Sequence, residues 1–215
     1  MADMRHGPLS RLPGTAAAVV ATLVLLLPMT ARAQTSGLEA ARKAVAAEEQ
    51  GDMPLALEAY GQALADDGMS DAARGLVFAA RGNALASQGR QAEALKDYEK
   101  AIALAPDQAV VYFNRGNLFF GMARYDEAIA DYTRAIDLDA ADAASYNNRG
   151  SAWFSKGNLD SALANFNMAV ELAPADAEFV NNRGRVRFAM GDEAKARADF
   201  ATAKSLDPEA KTPVD

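Results

Sequence analysis

The chain has 215 residues, half of them apolar, with 22 basic residues against 29 acidic ones, a single histidine and no cysteine. An acidic chain has too few lysines and arginines to neutralise a nucleic-acid backbone, so a nucleic-acid partner is not expected. The lack of cysteine excludes a disulfide framework as the source of stability.

The first 33 residues read as a secretory signal peptide. Arg5 and Arg11 form a basic start, Thr15 to Leu27 carries no charge, Pro28 breaks the apolar run, and Ala31-Arg32-Ala33 supplies the small-x-small cleavage pattern. Thirteen uncharged residues fall short of the roughly 20 that a spanning helix needs, so no membrane span is expected after cleavage. Removing Arg5, Arg11, Arg32 and Asp3 with this segment leaves 19 basic and 28 acidic residues. The only histidine, His6, leaves too.

Past the leader the sequence repeats every 34 residues. Blocks 75–108, 109–142, 143–176 and 177–210 align without a gap, with Gly82, Gly116, Gly150 and Gly184 in one column behind Arg81, Arg115, Arg149 and Arg183. Alanine follows at Ala94, Ala128, Ala162 and Ala196, and an aromatic at Tyr98, Tyr132, Phe166 and Phe200. A degenerate copy, 37–70, keeps Gly51, Ala56, Tyr60 and Ala63 but has Ala44 in the glycine column. Four extra residues, Asp71 to Arg74, separate it from the next block, and 211–215 remain as a tail.

Each block predicts two helices. The first ends at Gly51, Gly89, Gly157 or Gly191, with Ala123 the exception, where a left-handed residue closes a helix. The second carries apolar residues at three- and four-residue spacing, as in Tyr125, Ala128, Ile129, Tyr132, Ala135 and Ile136. Pro106, Pro174 and Pro208 then stop it. Inner blocks show Leu95 and Ile102, Ile129 and Ile136, or Leu163 and Val170 toward the next copy, but the last block has Arg197 and Lys204. A stacked array needs such a polar face where stacking ends, so the final helix is expected to cap itself.

With its small and large residues at these offsets over 37–210, the sequence resembles the tetratricopeptide repeat (TPR) family. The resemblance implies an all-α solenoid, a right-handed superhelix of five antiparallel helix pairs, with first helices lining a concave surface. Arg81, Arg115 and Arg183 then face Asp97, Asp131 and Asp199 sixteen residues on, while Arg149 faces Asn165, as hydrogen bonds across each hairpin.

On the implied inner wall, Asn114, Asn148 and Asn182 occupy one column, flanked by Asn147 and Asn181, with Asn83 and Asn117 one turn later. An amide both donates and accepts, so such a ladder can grip a peptide backbone without reading its sequence. It resembles the asparagine ladder of O-linked N-acetylglucosamine transferase, although Ala80 interrupts it. Phe113 and Phe120 are the apolar contacts expected for a partner, and Arg185 the basic one. Ala79 and Ala144 stand where the carboxylate-clamp members of the family carry lysines, which counts against capture of a chain terminus.

Without histidine or cysteine in the mature chain, the usual general base and thiol nucleophile are missing. Nor is there a phosphate-binding glycine loop or a metal-ligand motif. The expected function is therefore non-enzymatic, with no cofactor and no metal: a periplasmic adaptor of the cell envelope that binds an extended protein or peptide segment. A self-associating structural subunit, a homo-oligomer, is the alternative.

Overall fold

The structure, a computed structural model, describes residues 35–213; the signal segment read over 1–33 lies outside them. Among the described residues there are ten helices and no strand. They are α1 (Thr35–Glu49), α2 (Met53–Leu64), α3 (Asp71–Ser87), α4 (Gln91–Leu104), α5 (Ala109–Gly121), α6 (Tyr125–Leu138), α7 (Ala143–Ser155), α8 (Leu159–Leu172), α9 (Ala177–Ala189) and α10 (Glu193–Leu206). The described residues divide into two compact units, 35–118 and 119–213.

In the first unit α1 packs on α2, α2 on α3, and α3 on α4. Its core joins Ala41, Ala44 and Val45 of α1 to Ala59, Tyr60 and Ala63 of α2 and to Leu76, Val77 and Ala80 of α3. The four residues that interrupt the repeat are not a loop. Ser70 caps the backbone N–H of Ala73 at 3.2 Å, and Asp71 to Arg74 add a turn to the front of α3, making it 17 residues long where α5, α7 and α9 have 13.

In the second unit each helix packs on the next from α6 to α10, and α7 also touches α9 directly. First helices of successive pairs therefore lie side by side. Aspartate or asparagine caps start most of these helices: Asp142, Asn158, Asp176 and Asp192 each accept a backbone N–H.

The repeating small and aromatic columns meet as the spacing predicts. A methyl group built on Gly82 would sit 3.0 Å from the Tyr98 ring, one on Gly150 3.0 Å from Phe166, and one on Gly184 2.6 Å from Phe200. Each ring packs against the glycine of its partner helix, and burying one stabilises by about 1.5–3 kcal/mol. Helix turns close alike in both units. The N–H of the left-handed residue and that of its successor bond back onto the last helical turn, as in Gly89 to Ala86 (2.9 Å) and Arg90 to Leu85 (2.9 Å). Ala123 does the same with φ at +58°, without being glycine.

The arginine column is structural. Arg81 donates through Nε and a terminal nitrogen to both oxygens of Asp97, at 2.7 and 2.9 Å. Arg183 repeats the fork on Asp199 at 3.1 and 2.8 Å. Arg149 donates to Asn165 Oδ1 at 2.8 Å and, with its other arm, to Thr133 Oγ1 at 3.0 Å. Both aspartates are buried, so the charge is tolerable only because the fork is complete.

Candidate functional site

In the first unit the asparagines are shared between structure and surplus. The Tyr98 hydroxyl donates to Asn83 Oδ1 at 2.6 Å, which leaves the buried Asn83 Nδ2 without a partner. Asn114 is 4% exposed, and its buried Oδ1 accepts no hydrogen bond. Asn117 and Phe113 are 8% and 2% exposed, beside Val111 and Tyr112 in the buried stretch of α5. Phe113, expected as an apolar contact for a partner, is thus among the most enclosed residues of its helix.

In the second unit the amides form a connected row. Asn182 Nδ2 on α9 donates to Asn147 Oδ1 on α7 at 3.0 Å, and Asn147 Nδ2 donates to Asn148 Oδ1 at 3.2 Å. Asn148 hydrogen-bonds the buried Tyr132 hydroxyl on α6. At the other end, Arg185 NH1 donates to Asn182 Oδ1 at 3.4 Å and holds its guanidinium 5.9 Å from the Phe154 ring centre. Burial lowers the Arg185 pKa. Asn147 and Asn148 are 1% and 0% exposed, so in the free chain their amides serve the contact between α7 and its neighbours. Phe120, half-buried, meets Tyr125 edge to face with ring centres 5.5 Å apart.

Asn181 behaves differently from the rest. Its Nδ2 donates at 3.0 Å to the backbone carbonyl of Lys211, which lies in the non-helical segment after α10. Its Oδ1 is buried without a partner. Ala210, next to Lys211, packs on the cluster of Ala169, Val170, Phe179, Val180 and Ala203. The tail therefore covers part of the last hairpin, and Arg197 and Lys204 lie exposed on α10.

Sequence reasoning passed over Glu178. It sits in the first turn of α9, one turn before Asn181, in the column where the earlier blocks carry Leu76, Val110 and Ala144. An acid in an apolar column was the available signal. Its Oε1 is buried without a hydrogen bond. Burial and then the nearby Asp176 carboxylate push its pKa up to about 7, against a lowering hydrogen bond from Asn147. Among the described residues no group of three or more histidines, cysteines or acids is placed to hold a metal ion, and no helix is long and apolar enough to cross a membrane.

Two family models match the chain. One, described as TPR repeat, covers residues 82–122, and the other, described as Tetratricopeptide repeat, covers 113–177 and 157–211; together they run from 82 to 211, more than half the chain. No curated protein sequence matches it. Among solved structures, MamA from Desulfovibrio magneticus RS-1 (residues 41 to the end) aligns with a TM-score of 0.73 at 18% identity, over 82% of this chain and 97% of that one. YrrB, titled a TPR protein with an unusual peptide-binding site, aligns at 0.66 and 20% identity over 90% and 94%. The first TPR of Spaghetti (RPAP3), bound to an HSP90 peptide, aligns at 0.55 and 27% identity over 57% and 97%. With its helix pairs, its glycine–aromatic columns and these matches, the chain belongs to the tetratricopeptide repeat family.

Proposed function

We propose that this protein is an exported adaptor of the cell envelope that holds an extended segment of another protein along its first helices, through their asparagine amides. The observation that carries the reading is Asn181, whose amide holds the backbone carbonyl of a non-helical segment at 3.0 Å. That is the bond a bound peptide would make, supplied here by the chain's own Lys211. Asn83 Nδ2, Asn114 Oδ1 and Asn181 Oδ1 add buried hydrogen-bonding capacity that nothing in the free chain uses. A buried polar atom without a partner costs about 1–3 kcal/mol, which a ligand able to complete the bond recovers on binding. The peptide-bound TPR of Spaghetti and the peptide-binding site of YrrB support a reading of this kind. The signal-peptide pattern of residues 1–33 supports placement in the periplasm, and proteins of this family are generally non-enzymatic scaffolds.

The test is binding of labelled, unstructured, capped peptides, followed by fluorescence anisotropy, with Asn114→Ala and Asn181→Ala as separate variants. Neither substitution removes an amide that bridges two helices, so helicity and melting should stay near wild type. Each should weaken binding by roughly five- to tenfold, the value of about one hydrogen bond. Undiminished affinity in both variants would refute the ladder.

A second reading, self-association, is favoured by Met168 and Leu172, exposed large apolar side chains one turn apart on α8. Light scattering decides it: a stable oligomer lost on Met168→Lys with Leu172→Lys would favour an assembly subunit.

A further inference from the structure

The last hairpin holds two buried acceptors to which no hydrogen bond is made. Glu178 Oε1 and Asn181 Oδ1 are both buried, and neither accepts a hydrogen bond. They stand three residues apart on α9, so their side chains are neighbours on one helix face, with Cβ atoms about 5–6 Å apart. One small donor group can reach both. Two acceptors left bare in the same turn do not help the free chain, since each carries the cost of lost water.

The remaining hydrogen-bonding capacity around them is committed. Asn181 Nδ2 is on the Lys211 carbonyl, and Asn147 serves Asn182, Asn148 and the Glu178 carboxyl. Arg185, one turn beyond Asn181 on α9, is turned to Asn182 and Phe154. None of the ion pairs of this hairpin involves Glu178: Arg183 and Arg187 both bind Asp199, and Lys195 binds Asp192. A carboxylate of this kind calls for a cation from outside the hairpin.

Building on the proposed capture of extended segments, we propose that Glu178 and Asn181 form a receptor for a lysine ammonium carried by the bound segment. The segment's backbone carbonyl takes Asn181 Nδ2, displacing that of Lys211, and its Nζ donates to Glu178 Oε1 and Asn181 Oδ1. Lysine fits better than arginine. An ammonium is a compact point donor that a single carboxylate oxygen and an amide oxygen can share, whereas a guanidinium is best matched by both oxygens of one carboxylate. Burial and Asp176, which hold the Glu178 carboxyl partly protonated near neutral pH, act against the empty charged site, and an incoming cation reverses that balance. The receptor thus adds a preference for a basic residue to a ladder that is otherwise indifferent to sequence.

The experiment uses the full chain and two labelled, capped pentapeptides of alanine, one with lysine and one with norleucine at the centre. Norleucine keeps the hydrocarbon stem and removes the charge. The lysine peptide should bind wild type about tenfold more tightly, and Glu178→Gln should bring it down to the norleucine level while leaving the norleucine peptide unchanged. Carbon-13 NMR of the Glu178 carboxyl should show its titration moving to lower pH when the lysine peptide is bound. Equal binding of the two peptides to wild type, or a lysine preference that persists in Glu178→Gln, would overturn the receptor while leaving backbone capture standing. Failure of both peptides to bind, or norleucine-peptide binding untouched by both Asn114→Ala and Asn181→Ala, would instead remove backbone capture and the receptor with it.

Discussion

Ala123 offers a sharp test of how the hairpins are closed. Its φ is +58°, while Gly51, Gly89, Gly157 and Gly191 occupy the equivalent turns at +72° to +82°. The hydrogen bonds of the turn are intact, Ala123 N–H to Phe120 and Arg124 N–H to Phe119, both 2.9 Å, so the strain sits in the backbone of this one residue. A side chain in the left-handed region costs about 1–2 kcal/mol. Ala123 is exposed, so Ala123→Gly gives up no burial and loses only the entropy of a more flexible unfolded chain, about 0.5–1 kcal/mol. The net gain should be about 0.5–1 kcal/mol, or about 1–4 °C in melting temperature for a chain of this size. Urea unfolding followed by far-UV circular dichroism should show a higher midpoint at unchanged slope. Gly157→Ala, in the same unit and with open space around it, should lose about 1 kcal/mol, and the two changes together should nearly cancel. A lower midpoint for Ala123→Gly, or a neutral Gly157→Ala, would show that these turns are not strained where the dihedral angles place the strain.

Further expectations concern the second unit. Glu178 has a folded pKa raised above its unfolded value, so its contribution to stability is complete below the unfolded pKa and is lost as pH rises through about 7. Glu178→Gln should therefore flatten the decline in stability between about pH 4.5 and 7, worth on the order of 1 kcal/mol after solvent screening, as read from melts across that range. Asn148→Ala strands the buried Tyr132 hydroxyl and the Asn147 amide and should cost about 1–3 kcal/mol; adding Tyr132→Phe should recover part of it in a double-mutant cycle. Asp199→Ala removes the common partner of Arg183 and Arg187 and should destabilise by about 3–5 kcal/mol, seen as an early unfolding phase of the last hairpin.

Most of the fold was written in the period itself. A glycine sixteen residues before an aromatic, repeated in register, forces a close helix pair, and Gly82 against Tyr98 or Gly184 against Phe200 is that contact. The arginine forks followed from the same offset, since residues facing across a hairpin keep constant spacing. What periodicity could not carry were features that break it. The insertion at Asp71 to Arg74 reads as a spacer until Ser70 is seen as a helix cap. Glu178 looks like one more surface acid until its oxygen is found buried. The amide column was legible, but the bond from Asn182 to Asn147 joins two hairpins at a separation of 35 residues, and only the packing of α7 beside α9 creates it. The role of Lys211 was hidden for the same reason: it has no column of its own, and its place depends on its carbonyl reaching Asn181.

That last contact matters for anyone wishing to label or immobilise the molecule. A fluorophore or affinity handle attached at Lys211 would disturb the non-helical segment that occupies Asn181, and its readings would mix the handle's own effect with the behaviour of a guest. The exposed Glu99 on α4, outside any cap or turn, is the quieter place for an attachment.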